Sequence, residues 1–126
     1  MSIDREQRVV LVDFSGTLIM EDFAACDRCL RPLMAKAGAL RCIVDMTGVS
    51  RFGLSSAEIV GRAESRPAMQ GTAKIFVAPT AEAWGISRLF SAHRDMSGQS
   101  EPEIVRTLDE AFSAIGVLAP RFTILV

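Results

Sequence analysis

Apolar and polar positions alternate along the chain in two periods. Residues 8–14, RVVLVDF, are β-branched and apolar and predict a strand. Ser15-Gly16-Thr17 reads as a turn or bulge, and Leu18-Ile19-Met20 as a short second strand. From residue 22 the period changes. Phe23, Cys26, Leu30, Leu33, Met34 and Ala37 fall three or four apart, which predicts a helix over 22–37 with one apolar stripe. Pro32 lies inside that stretch, so a bend or break is expected near Arg28–Arg31, and Gly38 is placed to stop the helix. Residues 40–46, LRCIVDM, predict a strand covered on both faces, followed by a loop from Thr47 to Leu54. Ser55 and Glu58 have capping-box spacing, opening a helix that ends near Ser65, before Pro67.

The second half repeats the alternation. AKIFVA over 73–78 predicts a strand closed by Pro79. Thr80 can cap a helix over 81–96 whose stripe includes Trp84, Leu89, Phe90, His93 and Met96, with Gly98 after it. A short strand over 103–106 precedes a second capping box, Thr107 with Glu110, and a helix closed by Gly116. The tail, APRFTILV, has strand character and is too apolar to hang in water. It is expected to join a sheet edge, cover the helices or pair across a homodimer. The alternation predicts an α/β fold, a mixed and mostly parallel sheet of about five strands packed against about four helices. All of residues 1–126 form one domain in this reading, with a core over 8–116 and a strand-like tail over 117–126.

Composition narrows the functions. The chain has 126 residues, 49% apolar and 23% charged, an ordinary globular balance. Fourteen basic against fifteen acidic residues leave a net charge of −1, so no global field favours nucleic acid. No apolar run reaches the ~18 residues a membrane span needs. The opening MSIDREQR is polar, which predicts no secretion signal and a cytoplasmic location. Three cysteines, an odd number, argue for reduced thiols, and a single His makes a zinc site or a His-based triad improbable, so no metal or cofactor is expected.

Four local patterns carry candidate chemistry. Asp13-Phe14-Ser15-Gly16-Thr17-Leu18 is similar to the nucleophile motif of haloacid-dehalogenase phosphatases, D-x-D-G-T. Ser15, which moves no proton near neutral pH, stands where the second carboxylate is needed. Cys26-Asp27-Arg28-Cys29 has redox or half-zinc spacing, yet Cys26 fits the buried stripe. Trp84, Phe90, Met96 and Phe52 could surround an apolar ligand, or simply fill a core. Ser55 and Ser56 begin a helix, where hydroxyls cap and where a phosphate would meet free N–H groups.

Taken in order, several stretches resemble a STAS domain, the fold shared by sulfate transporters and anti-sigma-factor antagonists. Val12 to Leu18 looks like its opening strand and G-x-L turn. Cys42 to Val49 looks like its central strand, Ser55-Ser56 like the serine pair that starts its second helix, and Val105 to Ala111 like its final strand and helix. Ala78-Pro79 with Trp84-Gly85 resembles stand-alone bacterial members that share features with lipid-binding CRAL-TRIO domains. The resemblance implies a signalling module without enzyme activity that binds a protein partner, of the anti-sigma-factor or kinase kind. Ser56 would be the phosphorylated residue, and Ser55, Thr47 and Arg51 would share the interaction face. Leu54 and Ile19 occupy positions where the antagonist branch carries Asp. The alternative expectation is a carrier or sensor of a small, lipid-like apolar ligand at Phe52, Trp84, Phe90 and Met96. A degenerate phosphatase stands third.

Overall fold

The computed structural model describes residues 1–65 and 73–125. Its elements are β1 (Ser2–Asp4), β2 (Val9–Ile19), α1 (Met20–Ala37), β3 (Arg41–Gly53), α2 (Ser56–Glu64), β4 (Lys74–Val77), α3 (Ala81–Met96), β5 (Glu103–Val105), α4 (Leu108–Ala114) and β6 (Thr123–Ile124). One six-stranded sheet has the order β5-β4-β3-β2-β1-β6. β2 through β5 pair in parallel, and β1 runs antiparallel to both β2 and β6. The fold is thus α/β with a mixed, mostly parallel sheet and four helices, as the alternating pattern predicts.

Alternation along the central strands builds two cores. Val10, Val12 and Cys42 face one way and bury against Cys26 and Leu30 of α1. Val9, Ile43, Ile75 and Val77 face the other way and bury against Ala111 of α4 and Val117. α2 and α3 lie on the same side as α1, where all three border one cleft. α4 and the chain after it cover the opposite side.

The structure revises the sequence reading in three places. The expected turn at 15–17 and the loop from Thr47 are strand: β2 runs on to Ile19 and β3 to Gly53, paired through register shifts near Ser15 and Thr17. Gly48 permits this, because a Cβ there would sit 3.0 Å from the Phe14 carbonyl oxygen. Helix α1 passes through Pro32 without a break. Pro32 is exposed, so water can reach the carbonyl that the missing N–H leaves unpaired. The N-terminal strand β1 was hidden in a polar stretch. It forms an antiparallel hairpin with β2, and the second strand expected over 18–20 is instead the end of β2 and the start of α1.

The tail takes the first of its expected placements. β6 adds to the free edge of β1, with Thr123 opposite Ile3. Buried Asp4 anchors this return by accepting hydrogen bonds from the backbone N–H groups of Gln7 and Arg121, both at 2.9 Å. Those same N–H groups, Gln7 first, hold the Asp4 carboxyl below the usual carboxylate range.

Candidate functional site

The cleft opens between the sheet and helices α1, α2 and α3 and encloses about 80 Å³. Its walls are largely apolar. Leu18, Val44, Met46 and Phe76 come from the strands, Phe23 and Leu30 from α1, Ile59 from α2, and Ile86 and Phe90 from α3. Phe76 and Phe90 lean together with ring centroids 5.3 Å apart.

Charged side chains gather in the same cleft. Asp27 of α1, Arg62 of α2, Lys74 of β4 and Arg94 of α3 all border it. Each stands in phase with apolar positions of its own element. Asp27 is four residues after Phe23, Arg62 three after Ile59, Lys74 two before Phe76, and Arg94 four after Phe90. That phase carries them inward rather than to water.

Their partners differ. Arg62 and Asp27 form a two-pronged pair at 2.6 and 3.0 Å that ties α2 to α1. The Arg62 guanidinium also lies 5.3 Å from the Phe23 ring centroid. Arg94, only 4% exposed, donates to the Ala63 and Ser65 carbonyls at 3.2 and 3.0 Å, closing the C-terminal end of α2. Lys74 has no ion pair or hydrogen bond from its ammonium among the described residues. Burial first, and then the nearby Arg94 charge, push its ammonium down to about 8. Burial likewise lowers Arg94, with Arg62 adding to the effect.

One more polar group is out of place. Ser87 of α3 borders the cleft at 1% exposure, and its hydroxyl finds no hydrogen-bond partner among the described residues. Leaving such a group unpaired costs about 1–3 kcal/mol.

The candidate residues of the sequence reading do not all meet here. Phe90 borders the cleft. Phe52 and Trp84 are half-buried and pack with Leu18, Val49 and Ala83 in a neighbouring cluster, outside the cleft lining. Trp84 also carries the Arg106 guanidinium 4.2 Å from its ring centroid. Met96 is 77% exposed at the end of α3 and belongs to no apolar cluster, so its place on the stripe is corrected.

The serine pair divides its work. Ser55 caps α2: its hydroxyl accepts from the Glu58 N–H at 3.1 Å, and Glu58 accepts the Ser55 N–H at 3.0 Å. Ser56 is the first helical residue and is exposed. Thr47 is exposed on β3 and is tied to Asp45, whose carboxylate accepts its N–H and its hydroxyl at 3.0 and 2.6 Å. Arg51 is exposed on the same strand, opposite Thr17. Thr47 and Arg51 therefore stand on a strand and not on the expected loop.

The remaining motifs separate as well. Asp13 is an exposed strand residue. Cys26 and Cys42 are buried, with thiols pushed up by burial to about 11 and about 12, while Cys29 is exposed. The described residues contain no group of three or more His, Cys, Asp or Glu side chains that could hold a metal ion. No described helix is long and apolar enough to cross a membrane.

The cleft, with its cations and its unpartnered hydroxyl, defines this chain as an α/β domain carrying a preformed amphipathic recess. No family model, no curated protein and no solved structure matches the chain.

Proposed function

We propose that this chain is a small-molecule-binding module whose ligand seats its apolar part in the cleft between the sheet and helices α1, α2 and α3. The observation that carries this reading is the recess itself, an apolar-walled space bordered by a buried hydroxyl without a partner among the described residues. Ligand sites have that make-up, apolar walls with a few polar groups converging on them. The size also bounds the ligand. An engineered cavity of ~150 Å³ holds benzene, so this recess, about 80 Å³ and open on one side, takes a short chain or the edge of a ring and not a long lipid tail.

The reading is tested by titrating the protein with benzyl alcohol while following backbone amide signals. Shifts confined to residues such as Leu18, Phe76 and Ile86 are expected. Shifts scattered over the surface, or none, contradict the proposal. Native mass spectrometry of protein from its own host adds a direct check, with a ligand lost on denaturation as the expected result.

A second reading follows the STAS resemblance: a signalling partner without enzyme activity, switched by phosphorylation at Ser56 and pairing as a homodimer. One observation favours it. Ser55 is occupied by capping, whereas the Ser56 side chain is exposed beside the first turn of α2, where added negative charge is stabilised by the helix dipole. A phosphate on the Ser55–Ser56 peptide of protein from its own host supports this reading. Partner complexes unchanged by both Ser56→Asp and Ser56→Ala contradict it.

A further inference from the structure

We infer that the cleft's ligand is a small amphipathic anion, a carboxylate or phosphate monoester on a short apolar body, with its charged head held by Lys74. This inference rests on the ligand-binding reading above and adds the chemical class.

The argument starts from the balance of charge. Among the described residues, three cations, Arg62, Lys74 and Arg94, border the cleft with a single carboxylate, Asp27. Asp27 is engaged twice by Arg62, so that pair is closed. Arg94 donates from one nitrogen to both carbonyls that end α2 and is held there. Lys74 is the cation of the three with neither an ion pair nor a hydrogen bond from its charged group among the described residues. Residues 66–72, RPAMQGT, supply no carboxylate in the sequence either. A half-buried ammonium without a counter-charge is costly, and proteins keep such groups paired or lose the charge. Here Arg94 beside it makes the deficit of negative charge larger.

Geometry then places the head. Lys74 begins β4 and pairs in register with Cys42, so it sits where β3 and β4 start. Phe76, two residues on, shares its face and lies deeper along the same strand. Charge and apolar wall therefore follow each other along one strand face. On α3, Arg94 and Ser87 are seven residues, two turns, apart on the same side, a rise of roughly 10 Å. The helix thus repeats the arrangement, with its cation at one end and the unpartnered Ser87 hydroxyl along the apolar stretch. An anion at the Lys74 end neutralises the excess charge, and its apolar body reaches past Phe76 and Phe90.

The binding must depend on pH through Lys74. The groups that face it are Cys42 of β3, Asp27 of α1, Arg62 of α2 and Arg94 of α3. The Cys42 thiol, pushed up to about 12 by burial, is protonated across the neutral range. The Lys74 ammonium loses its charge as pH rises past about 8. Anion affinity should therefore fall over that interval, while affinity for a neutral analogue of the same shape stays level.

The test is calorimetric titration of the full chain with benzoate, phenyl phosphate and the neutral benzyl alcohol. At neutral pH, benzoate or phenyl phosphate should bind roughly tenfold tighter than benzyl alcohol, and the tighter of the two identifies the head group. The preference should disappear in Lys74→Met and in Lys74→Gln and persist in Lys74→Arg. Equal affinities for the three probes, or a preference that survives both Lys74→Met and Lys74→Gln, overturn this inference and leave the ligand-binding reading standing. Binding of none of the probes removes both.

Discussion

The two faces of this sheet are made by the same strands and do opposite things. On the α4 side, Val9, Ile43, Ile75 and Val77 are all at 0–1% exposure within an apolar cluster, and the part-buried Arg41 at its edge is bonded to the Ile115 and Gln7 carbonyls. On the α1–α3 side, residues one position away along the same strands border a recess holding three cations, a carboxylate and an unpartnered hydroxyl. Alternation alone produces this division, since Ile43 and Ile75 point one way and Cys42, Lys74 and Phe76 the other. The closed face is what folding by itself favours. The open face holds Lys74 and Ser87 at a cost that no structural partner among the described residues offsets, and the proposed ligand would offset it.

The largest expected contrast is in stability. Ile43→Ala on the closed face should cost about 2–5 kcal/mol, because it removes a fully buried side chain from a packed site. Phe90→Ala in the cleft should cost less, because half-buried Phe90 already borders open volume, and it should alter benzyl alcohol affinity where Ile43→Ala does not. Denaturant unfolding of both variants checks the order. A greater loss for Phe90→Ala would mean that the open face is the structural one.

Next in size is a gain. Lys74→Met should stabilise the protein by roughly 1–3 kcal/mol, since the folded state holds the ammonium near 8 against an ordinary 10.5. The sign follows from proton counts. Between those values the unfolded chain binds more protons, so stability rises with pH from about 8 upward and the penalty is fully present below. Above about 9 the thiols act in the other direction. Cys26 and Cys42 keep their protons up to about 11 and about 12 when folded, so the unfolded chain releases protons first and stability falls. Unfolding free energy should therefore climb between pH 8 and 9 and then flatten or turn down. In Lys74→Met the climb should be missing, and a climb that persists there would place its origin in another group.

The smallest contrast is within the serine pair. Ser55→Ala removes the cap and should cost about 1 kcal/mol, while Ser56→Ala, at an exposed first helical position, should stay within ~0.5 kcal/mol. Thermal unfolding of the two variants decides between them. Equal losses would mean that Ser56 also holds the helix, against its availability as a modification site.

The legible part of the molecule is the part governed by local rules. The helix over 81–96 appears with the bounds expected from Thr80 and its apolar spacing, and the capping box at Ser55 forms as spaced; Thr107 caps α4, but Glu110 accepts its hydroxyl and not its backbone N–H, so the second box is half made. The extension of β3 over Thr47–Gly53 was hidden because glycines and polar residues there read as loop. What makes it strand is pairing with β2, across a close approach that Gly48 allows. The cleft was hidden for the same reason. Asp27, Arg62, Lys74 and Arg94 stand on four different elements, and only the crossovers bring them together. A signal was nevertheless present: each charge falls in phase with apolar, cleft-lining positions of its element, as Lys74 does with Phe76. Apolar spacing pointed to Phe90 and equally to Met96, because spacing on a helix does not say where the sheet beneath it ends.

The most direct measurement is a titration of the Lys74 side chain by lysine-selective carbon NMR, with and without benzoate. The account predicts a midpoint near 8 in the free protein and a shift toward the ordinary 10.5 when the anion binds, because a bound negative charge favours the ammonium. A midpoint already at the ordinary value and unmoved by benzoate would contradict it, since Lys74 would then be neither desolvated in the cleft nor the partner of an anion there.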